Sequence, residues 1–188
     1  MTEPERGLVD LARLLARWEI PYMVIGGLAN AVWGQPRATL DIDVTIWASL
    51  DEVDSLISHL EPSFVPMVDD PARFVAHTRV LPVRHRSGVR ADLIFGGLAF
   101  EEEAIRRARE VMVQGLPVKF CTAEDLILHK VISDRERDQG DVRGILRQRL
   151  RELDFEYLEP RIEELADFLS RPEIRQRWET WKSEAGRV

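Results

Sequence analysis

The 188-residue chain is 45% hydrophobic and 31% charged, a globular balance that leaves little room for an extended disordered tract. Its formal net charge of −7 argues against a protein that coats nucleic acid, where affinity comes from neutralising phosphates with Lys and Arg. No apolar run approaches the roughly 18–20 residues of a bilayer span, charge begins at Glu3, and the single cysteine, Cys121, excludes an internal disulfide and a cysteine-rich zinc cluster; a cytoplasmic protein with no membrane partner is expected.

Leu8, Leu11, Leu14 and Leu15 recur at helical spacing, which predicts an amphipathic helix over 8–18 that ends near Pro21. Tyr22–Ile25 is a short apolar run bounded by Pro21 and Gly26-Gly27 and reads as a buried strand, followed by a short helix over 28–33 that stops at Gly34. Residues 40–47 are rich in Ile, Val and Thr and are strand-like, with Ser49 as N-cap of a helix over 50–60. Residues 62–71 read as loop. Two strands, 74–83 and 89–95, are predicted around the hairpin turn His85-Arg86-Ser87-Gly88, then a helix over 100–109. A second small hairpin turns at Gln114-Gly115, and Thr122 caps a helix whose Leu126, Ile127 and Val131 face inward. The remainder is helical in pattern, with a break at Arg171-Pro172. The expected architecture is α/β (α+β): a mixed β-sheet with flanking helices over residues 1–121, and a helical C-terminal part over 122–188 packed on that core.

The chemistry concentrates in Gly26-Gly27 and the later run Arg37-Ala38-Thr39-Leu40-Asp41-Ile42-Asp43-Val44. Carboxylates two residues apart on a strand share one face, because strand side chains alternate. Flanked by Leu40, Ile42, Val44 and Ile46, the like charges of Asp41 and Asp43 call for a counter-charge, and hard oxygen ligands suit magnesium. The glycine pair lies between a strand and a helix N-terminus, where bare backbone N–H groups and the helix dipole favour phosphate; a tight turn alone also explains it. Asp92, in the apolar strand Ala91-Asp92-Leu93-Ile94, needs a partner to offset its desolvation. That partner is either a metal ion or Arg84 or Arg90.

The ordered run Gly26-Gly27, Arg37-x-Thr39-x-Asp41-Ile42-Asp43 resembles the signature of the polymerase-beta-like nucleotidyltransferases, especially the AbiEii/MenT branch, which includes toxins of toxin–antitoxin pairs. His129-Lys130-Val131-Ile132 followed by Arg135, Arg137-Asp138 and Asp141-Val142 resembles the later element of that branch. The resemblance spans roughly residues 22–145. It implies a nucleotidyltransferase fold and transfer of a nucleoside monophosphate from a nucleoside triphosphate such as ATP to a hydroxyl acceptor, which would be an RNA such as a tRNA end, a protein or a small molecule. It also implies two Mg2+ ions, with Mn2+ as the alternative, held by Asp41, Asp43 and Asp92, with Asp92 as general base. Gly26, Gly27, Thr39 and Lys130 would bind the nucleotide, and an antitoxin protein would be a partner.

Several of these residues carry a plainer reading. Arg37 would contact phosphate or pair with Asp43 and fix its rotamer, and Lys130 would face solvent on its helix. Asp138 and Asp141 would form surface salt bridges with Arg137 and Arg143. The clusters Arg79, Arg84, Arg86, Arg90 and Arg135–Arg151 would meet a polyanion or form solvated faces. The four histidines lack metal-ligand spacing, and Ser87 and Ser133 lack a nucleophile-elbow context. The alternative to an enzyme is a catalytically silent binding or antitoxin-like protein on the same scaffold.

Overall fold

The computed structural model describes residues 2–187 and divides the chain into two compact units, Met1–Leu28 with Ala38–Cys121, and Ala29–Arg37 with Thr122–Val188. Helix α1 (Glu3–Arg17) opens the first unit. It begins five residues before the leucine pattern, because Thr2 and Glu5 form a capping box that satisfies the first amides. Strand β1 (Tyr22–Ile25) runs directly into α2 (Gly26–Trp33), whose first three residues belong to the first unit and the rest to the second. Strand β2 (Ile42–Ile46) is shorter than the strand-like run, so Asp41 stands just ahead of it. Ser49 caps a 3-10 turn (Leu50–Glu52) that leads into α3 (Val53–Leu60).

The next segment departs from the expected pattern. Residues 64–66, inside the predicted loop, form β3 (Phe64–Pro66), and the first half of the predicted strand 74–83 is instead α4 (Pro71–Thr78). The Asp70 side chain accepts from the Arg73 amide, Pro71 stands in the first turn, and Arg79 closes the helix in the left-handed region. Apolar content alone does not separate a short helix from a strand, and these end signals decide it. Strands β4 (Val80–His85) and β5 (Arg90–Phe95) then pair antiparallel, and α5 (Ala99–Arg107) precedes the hairpin of β6 (Arg109–Val113) and β7 (Leu116–Phe120).

The seven strands form one mixed sheet in the order β3-β4-β5-β2-β1-β7-β6. The β2/β5 and β1/β7 pairs are parallel and the other pairs antiparallel. Alternation assigns Ile42, Val44 and Ile46 to one face, all fully buried. Gly7 of α1 lies over Ile42, so close that a Cβ there would sit 3.0 Å from Ile42 Cδ1. The buried His85 ring fixes the β4–β5 turn to this helix: Nε2 is 3.1 Å from Asp10 Oδ2, and Nδ1 is 2.8 Å from Ser87 Oγ. Asp43, on the alternate positions of β2, belongs to the opposite face.

The second unit contains α6 (Ala123–Val131), α7 (Glu136–Arg149), α8 (Phe155–Phe168) and α9 (Glu173–Ala185). Its core is Leu126, Ile127, Val131, Val142, Ile145, Leu146, Leu158 and Ile174, each buried, with Trp178 and Trp181 beside them. A buried polar group anchors the start of α6. Asp125 accepts from the Thr122 hydroxyl and from the Tyr157 phenol, both at 2.7 Å. No helix among the described residues is long and apolar enough to cross a membrane.

Candidate active site

Strand register assembles the carboxylates. Because β1 and β2 are antiparallel, the end of β1 meets the start of β2, and Ile25 pairs with Asp43. Because β2 and β5 are parallel, Asp43 also pairs with Asp92, although the two are far apart in sequence. Asp43 and Asp92 are therefore side-by-side neighbours, each flanked along its strand by fully buried residues, Ile42 and Val44 or Ala91 and Leu93. The carboxylate side chains are only half-buried, and Asp41, ahead of the strand, is exposed.

The glycine pair closes over this point. Gly26 has φ +67°, and a Cβ there would fall 2.0 Å from Asp43 Oδ2. Only a residue without a side chain allows the backbone to turn from β1 into α2 while the carboxylate occupies that space. Gly27 makes the same kind of approach to Thr39, whose Oγ1 would lie 2.6 Å from an added Cβ. The Thr39 hydroxyl also donates to the Asp41 carbonyl at 3.3 Å, tying the segment before β2 back on itself. Gly26, Gly27, Thr39, Asp43 and Asp92 thus form one locality.

The fourth charged group here is Arg90, which the sequence offered only as an alternative partner for Asp92. Its Nε donates to Asp92 Oδ1 at 2.9 Å. This hydrogen bond raises the Arg90 pKa above its ordinary value; burial opposes the rise, and the charges of Asp92, Asp41 and Asp43 add to it. The other arginines of this cluster are engaged locally. Arg79 donates to the carbonyls of Phe95 and Gly96, Arg84 to that of Gly88, and Arg86 pairs with Asp10.

Arg37 and Lys130 belong to the second unit, where they share a partner. Arg37 grips Asp141 through two parallel bonds of 3.0 Å, and Lys130 Nζ lies 2.8 Å from Asp141 and 2.7 Å from Asp138. Lys130 is buried rather than solvent-facing, and its ammonium is surrounded by carboxylates. Asp138 and Asp141 are likewise buried, and their partners are not Arg137 and Arg143. Asp138 binds Lys130, Ser133 and Arg135, and Asp141 binds Lys130 and Arg37. Burial pushes both carboxyls up, but the hydrogen bonds, from Lys130 and Ser133 on Asp138 and from Arg37 and Lys130 on Asp141, outweigh it and hold both below the ordinary aspartate range. The spacing of Asp138 and Asp141 carried this signal, since residues three apart on a helix share a face and can clamp one cation.

The seven-stranded mixed sheet with its flanking helices is the nucleotidyltransferase fold, as comparison with solved structures shows. The antibiotic-resistance factor ANT(2")-Ia, solved in complex with adenylyl-2"-tobramycin, is similar at 16% identity and TM-score 0.60, covering 94% of this chain and 99% of its own. The lincosamide antibiotic adenylyltransferase LnuA, solved with lincomycin, is similar at 17% identity and TM-score 0.54, over 77% of this chain and 96% of its own. An antigenic nucleotidyltransferase-like protein from Paracoccidioides brasiliensis is similar at 20% identity and TM-score 0.56, over 93% and 91%. None of the curated proteins compared with the chain matches it. Residues 8–185 match the family described as "Nucleotidyltransferase of unknown function (DUF6036)", and the chain belongs to that family. The protein is a nucleotidyltransferase enzyme.

Enzymes of this class generally use divalent metal ions. The donor set fits such an ion in kind: hard carboxylate oxygens on adjoining strands, with Gly26 leaving room for the Asp43 carboxylate. Among the described residues, no three His, Cys, Asp or Glu side chains converge as a complete metal cage, and Arg90 holds one of the oxygens.

Proposed function

We propose that the chain is a cytoplasmic enzyme that moves a nucleoside monophosphate from a nucleoside triphosphate to a hydroxyl group of a small molecule, with residues 1–121 as the catalytic core and 122–188 as its helical part. The observation that carries this reading is the in-register pairing of Asp43 with Asp92 beneath the Gly26 turn. Magnesium ions held by Asp41, Asp43 and Asp92 would supply charge neutralisation at the phosphates and activation of the acceptor hydroxyl.

The chain's own groups do the rest. The bare backbone at Gly26-Gly27 opens the first turn of α2, and first-turn N–H groups, which have no partner within a helix, receive phosphate oxygens of the triphosphate. Thr39, packed on Gly27, fixes the segment that leads to Asp41. Asp92, released from Arg90, accepts the proton of the acceptor hydroxyl as that oxygen attacks the α-phosphorus and pyrophosphate leaves. Arg37 and Lys130 act here through the ion network with Asp138 and Asp141 rather than on the triphosphate.

A small-molecule acceptor is favoured by the near-complete mutual coverage with ANT(2")-Ia and by the net charge of −7, which opposes a polyanionic acceptor. The Arg37–Asp43 motif supports a second reading, an AbiEii/MenT-like toxin that modifies a tRNA end or a protein and is restrained by an antitoxin.

The test is incubation with each α-labelled nucleoside triphosphate and Mg2+, together with aminoglycosides and lincosamides, total tRNA or total cell protein. A control carries Asp41→Ala and Asp43→Ala. Label on a small molecule, absent from the control, supports the first reading, and label on tRNA or protein supports the second. Transfer that persists in the control would overturn the assignment of the carboxylates.

A further inference from the structure

The four charged groups at the candidate site form a small grid. Asp43 and Asp92 face each other in register on β2 and β5. One pleat back on β5, Arg90 stands on the same face as Asp92, as Asp41 does relative to Asp43 ahead of β2. Arg90 makes a single Nε–Oδ1 contact with Asp92, its side chain is 47% exposed, and that of Asp92 is 19% exposed. An ion pair of this kind, one-point and open to solvent on the cation side, is weak and exchangeable. It differs in this from Arg37, which is held bidentate on the buried Asp141. Together the four side chains carry three negative charges and one positive, so the guanidinium removes part of the attraction for a dication and occupies one of its donor oxygens.

We propose that Arg90 is a resident counter-cation that competes with divalent metal ions for Asp92, holding this carboxylate in an ion-paired resting state that metal binding displaces. The inference rests on the reading of Asp41, Asp43 and Asp92 as metal-binding groups and deepens it by adding a positioning residue. The chemistry required is only an exchange of ionic partners. The guanidinium leaves Asp92 Oδ1 for solvent or for an anionic oxygen of the incoming nucleotide, and the carboxylate turns to the metal. Arg90 thereby links cation occupancy at Asp92 to the presence of a second anion.

The experiment is Mn2+ titration of the intact protein by calorimetry, with the electron paramagnetic resonance signal of free Mn2+ as a second readout. The proteins are wild type, Arg90→Gln, Arg90→Lys and Asp43→Asn. Arg90→Gln is expected to bind Mn2+ at least about tenfold more tightly, the effect that removing one charge at contact range has on a neighbouring carboxylate. Arg90→Lys should restore affinity to near the wild-type value. The gap between wild type and Arg90→Gln should narrow as salt is raised, because the partner is exposed. Equal or weaker Mn2+ binding by Arg90→Gln, with wild-type binding intact and lost in Asp43→Asn, would overturn the role of Arg90 alone. Absence of Mn2+ binding in all four proteins would overturn the metal-site reading and this inference with it.

Discussion

Replacing Gly26 with alanine tests the steric core of the site. The residue has φ +67°, where an L side chain costs roughly 1–2 kcal/mol. The added methyl would also fall 2.0 Å from Asp43 Oδ2, 2.8 Å from its Cγ and 2.9 Å from its Cβ. The carboxylate cannot clear all three by rotating, so β1 and β2 must shift or Asp43 must leave its position; forced overpacking of this kind costs a further ~1–3 kcal/mol. The sum, about 2–5 kcal/mol, corresponds to a fall in Tm of roughly 4–20 °C for a chain of this size. Displacing a metal-binding or catalytic group by an ångström costs about a hundredfold in rate, so nucleotidyl transfer should fall by at least that factor. The control is Gly115→Ala in the β6–β7 turn, where φ is +81° but nothing lies within 4 Å, so that only the backbone penalty applies. Thermal unfolding and label transfer measured side by side on both variants separate strain from collision. If Gly26→Ala loses no more stability than Gly115→Ala and keeps its transfer rate, the close packing of Gly26 on Asp43 has no part in the site.

Three further outcomes follow from the second unit. Lys130→Met should destabilise the fold by about 3–5 kcal/mol, because Asp138 and Asp141 would stay buried without their shared cation; chemical denaturation measures this. Tyr157→Phe removes a 2.7 Å phenol bond to the buried Asp125 carboxylate and should cost about 1.5–3 kcal/mol in the same assay, with little change in transfer rate. Asp138 and Asp141 have folded-state pKa values below their unfolded ones, so the stability they contribute is fully present above the ordinary aspartate range and is lost as pH falls through and below it. Denaturation midpoints should therefore drop steeply below about pH 4 in the wild type and less steeply in a double variant with Asp138→Asn and Asp141→Asn.

Wherever a local signal was strong, element type followed from it. Tyr22–Ile25, bounded by Pro21 and the glycine pair, is a strand of the expected extent, and Thr122 caps α6 as its side chain predicted. Short apolar segments with weaker punctuation went astray. Residues 74–78 pass for strand by composition, and the helix that contains them rests on the Asp70 cap and on Pro71. The two carboxylates of the Asp41-Ile42-Asp43 motif were legible because alternation along a strand is a local property.

Pairings between distant segments were not legible. By itself the sequence singled out the candidate residues: a glycine pair, two carboxylates two apart, and a third carboxylate in an apolar strand. Tertiary structure alone decided that Asp92 lies in register beside Asp43, that Gly26 packs against the carboxylate of Asp43, that Arg90 rather than Arg84 holds Asp92, and that Lys130 is buried between Asp138 and Asp141. The physical reason is that strand order and ion-pair choice depend on which faces must be buried together. Composition and spacing along one segment do not contain that information, because it arises only when the β-strands and helices compete for the same core.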